Sequence, residues 1–366
     1  MTHKRPIYLD YAATTPVDER VIQKMNECLS LQGVFGNPAS GHFFGDEAKK
    51  RVEKGREQIA ACIRAAPRHI VFTSGATESN NLAIKGVVHF YQDRGRHIVT
   101  CKTEHKSVLD VCAYLESVGF SVTYLTVDKT GLIDLADLKS VLKKETILIS
   151  IMQVNNETGV LQNIQSISEL TRDRGIFLHV DAAQSFGKNN IDVQQLGVDL
   201  MSFSAHKIYG PKGIGALYIS DKPRVRLMPL LHGGGQERKF RAGTLPTHQI
   251  VGMGAASEIA QAVIQSENQR IKWLRDRFWF GIQDLPNVYL NSPEALCLSH
   301  ILNVRFQSIK KEVLLKKLSN LAISSASACN SIIVEPSYVL RAMGLSDPEA
   351  ERSIRFSFGR FTTESE

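Results

Sequence analysis

From His69 to Ser220 the chain alternates short apolar runs with stretches whose apolar residues recur every three or four positions. The runs beginning at His69 and spanning His97 to Cys101, Val122 to Val127, Ile147 to Met152, Phe177 to Asp181, Leu200 to Ser204 and Ala216 to Ile219 have the length of strands. Strands alternating with helices predict a mainly parallel sheet covered on both faces. Upstream, Thr15 as cap, Pro16 at the first helical position and Asp18 three residues after the cap predict a helix carrying Val17, Val21, Ile22, Met25 and Leu29 on one stripe. A second helix is predicted over about Asp46 to Ala65. After Thr247 the rhythm changes to one long helical stretch reaching about Leu285. Val288 to Asn291, Ile301 to Phe306, Lys310 to Leu318, Ala322 to Ser325 and Ile354 to Phe358 then predict a smaller α+β unit. No internal repeat or low-complexity linker interrupts the chain.

The length of 366 residues favours two domains, and 43% hydrophobic residues suffice for a real core. A net charge of +7 is modest and scattered, so it reads as solubility and steering, and direct nucleic-acid binding is not expected. No apolar run is long enough to span a bilayer, and Met1 to Arg5 lacks an apolar signal region, so no membrane association and a cytoplasmic enzyme are expected. The six cysteines show neither CxxC pairs nor Cys/His metal spacing, so no disulfide framework and no metal site are expected. Cys28, Cys62, Cys101, Cys112 and Cys297 read as small buried apolar residues. Cys329 differs: it sits among Ser, Ala and Asn, in a segment too small and polar for core, where the plain alternative is a structural turn. The glycine-rich runs His232 to Gln236 and Gly210 to Gly215 are not nucleotide loops; the second has Ala216 where a P-loop needs lysine.

Three segments carry candidate chemistry. Ser202-Phe203-Ser204-Ala205-His206-Lys207 ends a strand-like run on a lysine. Burial would favour its neutral amine, the form that makes a Schiff base with an aldehyde cofactor. A run from Ile176 delivers Asp181 at a strand's carboxyl end, where a carboxylate could pair with a pyridinium nitrogen. From His69 to Leu82 a strand, a small-residue turn and a helical pattern make an anion cradle around Thr77. Singly, each has an ordinary reading: an exposed lysine, a helix-capping aspartate, a threonine N-cap. Together they are much stronger.

With these segments the chain resembles the cysteine desulfurases of the IscS/NifS type, pyridoxal phosphate enzymes of the class V aminotransferase group. The resemblance runs from Tyr8-Leu9-Asp10-Tyr11-Ala12-Ala13-Thr14-Thr15-Pro16 through Gly36-Asn37-Pro38-Ala39-Ser40, Thr103-Glu104-His105-Lys106 and Val154-Asn155-Asn156-Glu157-Thr158-Gly159. It continues through Gly233-Gly234-Gly235-Gln236-Glu237-Arg238, Arg241-Ala242-Gly243-Thr244 and Ser324-Ser325-Ala326-Ser327-Ala328-Cys329 to Ser353-Ile354-Arg355-Phe356-Ser357. It implies an α/β fold of the fold type I transferases, with a large cofactor domain over 16–260 and a small α+β domain from 1–15 plus 261–366. It also implies pyridoxal 5'-phosphate as cofactor, carried by Lys207, with Asp181 facing the pyridine nitrogen, Gln184 the phenolic oxygen and His105 stacked on the ring. Thr77, Ser204, His206 and the Ala76 backbone would hold the phosphate, and Asn156 would contact the cofactor near the substrate. Thr244 would reach the phosphate of the neighbouring subunit's cofactor, which implies an obligate homodimer. Arg355, with Asn37, would bind the substrate, its planar fork clamping the carboxylate. Cys329 would accept sulfur.

The implied reaction turns L-cysteine into L-alanine and leaves a persulfide on Cys329, with His105 the candidate for sharing the thiol proton. A sulfur-acceptor protein serving iron-sulfur cluster assembly, tRNA thiolation or DNA phosphorothioate modification would take the sulfur on. Two positions depart from the commonest family pattern. Ala326 stands where the cysteine loop usually has Gly, and the chain ends at Glu366 where housekeeping members usually continue, which points to a dedicated paralogue with a different acceptor. The competing readings are a selenocysteine lyase or aminotransferase of the same fold, and a non-enzymatic sulfur carrier or scaffold.

Overall fold

The computed structural model describes residues 5–325 and 335–366. In chain order the strands are β1 (Ile7–Tyr8), β2 (Ile70–Thr73), β3 (His97–Cys101), β4 (Ser121–Leu125), β5 (Thr146–Met152), β6 (Phe177–Asp181), β7 (Leu200–Ser204), β8 (Gly215–Ile219), β9 (Val288–Leu290), β10 (Ile301–Phe306), β11 (Leu321–Ala322), β12 (Ser324–Ser325) and β13 (Ser353–Ser357). The α-helices are α1 (Glu19–Asn26), α2 (Phe43–Cys62), α3 (Ala76–Phe90), α4 (Lys106–Ser117), α5 (Leu135–Val141), α6 (Ile164–Arg172), α7 (Val193–Leu196), α8 (Thr247–Ile282), α9 (Lys311–Lys317), α10 (Tyr338–Ala342) and α11 (Asp347–Glu351).

Strands β5, β6, β7 and β8 are buried at every position, which requires cover on both faces of their sheet. That sheet has seven strands in the order β2-β8-β7-β6-β5-β3-β4. All neighbours are parallel except at β8, which runs antiparallel to both β7 and β2. One apolar core packs Val52, Ile59, Ile250 and Met253 from α2 and α8 against the sheet. A second, on α3 and α4, contains Leu82, Ile84, Val108 and Leu115. From β3 the chain steps outward to β4, then crosses back to add β5, β6 and β7 on the other side. The carboxyl ends of β3 and β5 therefore flank a topological switch point, the crevice where open α/β sheets bind ligands.

The four-stranded sheet β12-β13-β10-β9 is antiparallel and lies over a separate core with Leu302, Val304, Ile354 and Phe356. Helix α8, about 54 Å long at 1.5 Å per residue, joins the two: its first half enters the main core and Ile271, Leu274 and Trp279 enter this one. The N-terminus also belongs here, because β1 pairs with β11 and Asp10 bridges to Ser357.

Two helix starts differ from expectation. The first helix begins at Glu19, capped by Asp18 rather than Thr15. Thr15 is otherwise engaged: its hydroxyl donates to the His206 carbonyl (3.0 Å) and accepts from the Tyr209 N–H (2.9 Å). The second helix spans Phe43–Cys62, three residues earlier than predicted at each end. His42 caps it by accepting from the Gly45 N–H, and Arg64 turns left-handed (φ 55) just beyond it.

Candidate active site at the carboxyl ends of the parallel strands

Past β7 the backbone tightens into one 3-10 turn, Ala205–Lys207, which aims Lys207 back across the sheet. A strap formed by the Ala12-Ala13-Thr14-Thr15 segment meets it. The Lys207 Nζ donates to the Ala12 and Ala13 carbonyls, both at 2.7 Å, and Gln184 Nε2 donates to the same Ala12 carbonyl at 2.9 Å. Ala12 is itself tied down, its N–H donating to Ser357 Oγ of β13 at 2.9 Å. The strap thus connects the small sheet to the lysine.

Asp181 ends β6 and is buried. One carboxylate oxygen accepts from Asn80 Nδ2 of α3 (2.8 Å) and the other from the Ala183 N–H (2.9 Å), so the turn-capping role and a cavity-facing carboxylate coexist in one side chain. Asn80 also donates to Ser107 Oγ (2.8 Å), which lies 2.8 Å from His105 Nδ1. The Ser107 backbone N–H donates to that same Nδ1 at 3.1 Å. This donor fixes Nδ1 as acceptor, so neutral His105 carries its proton on Nε2. Burial, with the Lys207 ammonium adding to it and Asp181 opposing, holds the His105 pKa below its ordinary value. Beneath Asp181 on the same strand face, His179 is bracketed by Ser150 Oγ (2.8 Å) and Ser202 Oγ (2.9 Å). Burial pushes its pKa down to about 3, so this ladder is a neutral support for the strand that carries Asp181.

The cradle forms where β2 meets α3. Gly75 is the cap residue of α3 and supplies no side-chain bond, so the first helical amides are left open for an anion. Its φ of 154 suits glycine, and a Cβ on Gly215 of β8 would come within 2.6 Å of the Gly75 Cα, so Gly215 permits the close backbone approach while Gly75 supplies the conformation. Thr77 lies in the first turn of α3, inside the helix rather than at its cap. His206 Nδ1 is 3.0 Å from Thr14 Oγ1. Burial first, then Lys207, Lys212 and Lys188, pushes the His206 pKa down to about 4, so its ring is neutral.

Arg355 of β13 enters from the small sheet and is 4% exposed. Its Nη1 donates to the Asn156 carbonyl (2.8 Å), and its Nη2 donates to Asp10 (2.8 Å) and Ser324 Oγ (3.0 Å). Among the described residues, Arg355 Nε and Asn156 Oδ1 are buried with no hydrogen-bond partner. A cavity of about 640 Å³ is lined by Ala76, Thr77, His105, Asn156, Asp181, Gln184, Ser204, His206, Lys207 and Arg355. Unsatisfied buried polar atoms are costly, and these two line the cavity, where a bound group could satisfy them. The cavity therefore offers one anion cradle, one carboxylate, one lysine and one guanidinium, a donor set that fits a phosphorylated aldehyde cofactor together with an amino acid.

Two expected site residues are not in that group. Thr244 is exposed and outside the cavity lining, and Asn37 is also exposed and opens onto a different cavity, with Arg56, Gln236 and Glu237. Cys329 and Ala326 lie outside the described residues. Of the other cysteines, Cys28, Cys101 and Cys112 are buried as expected, whereas Cys62 and Cys297 keep partial exposure. Burial raises every one of these thiol pKa values. Among the described residues no cluster could hold a metal ion, and no helix is long and apolar enough to cross a membrane. Asn80, Ser107, Asp10 and the strap carbonyls are site components that the motifs did not single out. Asn80 could have been suspected as an asparagine inside an otherwise apolar helix face.

The family described as aminotransferase class-V matches residues 7–366. A protein named cysteine desulfurase IscS from Pseudomonas putida (strain W619) is 60% identical over 364 residues, covering 99% of this chain and 90% of that protein. The chain belongs to the class-V aminotransferase family, among its cysteine desulfurases. Solved structures agree. A chain titled NifS-like protein superposes with a TM-score of 0.91 at 36% identity, covering 98% of this chain and 95% of that one. One titled SspA in complex with cysteine gives 0.87 at 41%, covering 98% and 100%. The seven-stranded mixed sheet with a smaller sheet beside it is the fold expected of this family.

Proposed function

We propose that this cysteine desulfurase converts L-cysteine to L-alanine and passes the sulfur to Cys329 as a persulfide. The observation that carries the reading is that Lys207 from the turn after β7, Asp181 from the end of β6 and Arg355 from the middle of β13 converge on one cavity. Pyridoxal 5'-phosphate, when bound, would supply the electron sink for cleavage at the substrate. Lys207 would hold it covalently, Asp181 would keep its pyridine nitrogen protonated, and Asn80 would keep Asp181 oriented. The open α3 amides, Thr77, Ser204 and His206 would take the phosphate, the neutral ring of His206 serving as donor or acceptor rather than as a charge. Gln184 would meet the phenolic oxygen and Asn156 the substrate side.

Arg355 would take the substrate carboxylate in its planar fork, exchanging the Asp10 and Ser324 contacts for a stronger one. His105, neutral with its proton on Nε2, would donate that proton as a hydrogen bond to sulfur and so favour the thiolate needed for transfer. The identity to IscS supports iron-sulfur cluster assembly as the destination, through a sulfur-acceptor protein, with tRNA thiolation and DNA phosphorothioate modification as alternatives. A cytoplasmic homodimer, in which Thr244 serves the partner's cofactor, completes the proposal. So does a division into a large domain (16–260) and a small one (1–15 plus 261–366), with the cavity between them. An absorbance scan tests the cofactor site: the purified protein should show the visible band of a lysine-bound aldehyde cofactor. Lys207→Ala should lose that band and the desulfurase turnover together; turnover at the wild-type rate without Lys207 would refute the assignment.

A further inference from the structure

Glu237, Arg238 and Lys239 follow one another with φ of 45, 54 and 68, three left-handed residues in a row with no glycine among them. L-residues disfavour that conformation, so such a run persists only where its surroundings over-determine it. Here they do. Glu237 is buried, and both its carboxylate oxygens are engaged: Arg56 Nη2 donates to one (2.7 Å), while Arg56 Nη1 (2.8 Å) and the Phe72 N–H of β2 (2.7 Å) donate to the other. Arg56 is buried too and spends Nη1 again on the Ile70 carbonyl, which also accepts from Arg238 Nη2. At the far end of the loop Gln236 Oε1 accepts from the Gly243 N–H (3.2 Å), and Arg241 pairs with Glu78 on α3 (2.9 Å). The residue presented after Gly243 is the exposed Thr244.

A buried ion pair is a weak source of stability, and its best-attested use is to specify one conformation. The proposed chemistry uses neither Arg56 nor Glu237. We infer that the Arg56–Glu237 pair is a positioning device that locks residues 236–244 into an arm delivering Thr244 to the phosphate of the neighbouring subunit's cofactor. The inference rests on the reading of Thr244 given above. The arm is seated on β2, whose carboxyl end forms the chain's own phosphate cradle, so arm and cradle share one rigid base.

The test is a double-mutant cycle on the holoprotein. Cofactor dissociation is measured by equilibrium dialysis against graded pyridoxal phosphate, with the dimer confirmed by sedimentation. Thr244→Ala should weaken retention by roughly tenfold, the loss of one hydrogen bond to a charged group. Glu237→Gln should weaken it by roughly three- to tenfold alone but by less than about twofold when Thr244 is already alanine, because the pair acts only through that residue. Equal losses in both backgrounds would overturn the inference while leaving the Thr244 reading intact. No loss from Thr244→Ala would overturn both. Should Glu237→Gln fail to give a folded dimer, Arg56→Lys keeps a cation opposite Glu237 but removes the two-pronged contact. It should then show a smaller loss with the same dependence on Thr244, and a loss independent of Thr244, or none, would refute the device.

Discussion

Arg355 divides its guanidinium among the Asn156 carbonyl, Asp10 and Ser324, and among the described residues its buried Nε has no partner. A planar fork already oriented by three acceptors loses little freedom on taking a carboxylate, and a lysine point charge cannot reproduce it. Arg355→Lys should therefore lower kcat/KM for cysteine by about one to two decades, from loss of roughly 1.5–3 kcal/mol. Cofactor content should stay normal, because the cradle and Asp181 lie on other elements; unchanged kinetics would exclude the clamp. At this scale the sequence was informative where chemistry and position coincide. Lys207, Asp181 and Arg355 each stand in or just after an apolar run, so the placement of the first two at strand ends and of Arg355 within a strand could be read directly. Asp10 and Asn80 could not, because their partners, Arg355 and Asp181, are 345 and 101 residues away. Asn37 and Thr244 are legible only as motif members, since nothing in one chain brings them to the cavity.

Element boundaries show a similar limit. Strands β3, β6, β7 and β10 coincide with their predicted spans because large apolar residues recur along each and stop at polar or small flanking residues. The helix starts shifted because Thr15 was claimed by β7's following turn and because a histidine made the cap of α2. The turn after β5 holds a testable element-scale feature. Glu157, beside Asn156, accepts from Ser337 Oγ at 2.5 Å just ahead of α10, and burial pushes its carboxyl up to about 7 from an ordinary 4.5, with Ser337 and Arg355 opposing. Between those values the folded protein binds a proton that the unfolded chain has lost. Its contribution is thus complete below about pH 4.5 and is lost as pH rises through about 7, a change of up to about 3 kcal/mol. Glu157→Gln removes the ionisation. The melting temperature of the wild type should fall relative to the variant between pH 5 and 8, and parallel curves would show that Glu157 does not titrate in this way.

For the whole molecule, the arrangement that matters is how two sheets share one cavity. The large sheet supplies a switch point with a lysine, a carboxylate and an anion cradle at strand ends, all from β2 through β7. The small sheet supplies the arginine on β13 and, through Ser357, anchors the strap whose carbonyls hold Lys207, while β1 pairs with β11 in a separate two-stranded sheet. The alternation of strands and helices made the large sheet predictable. The N-terminal pairing was not readable from periodicity, because β1 and β11 are two residues each and lie more than 300 positions apart. The central claim is that this assembly moves sulfur from cysteine to Cys329. Its most direct measurement is to incubate the purified protein with L-cysteine, quantify alanine, and locate bound sulfur by mass spectrometry, with Cys329→Ser alongside. The account requires alanine to form with a persulfide on Cys329, and requires Cys329→Ser to retain the cofactor and its cysteine-induced spectral change while accumulating no persulfide. A keto acid in place of alanine, or a persulfide on Cys101 or Cys112 with activity retained in Cys329→Ser, would contradict it.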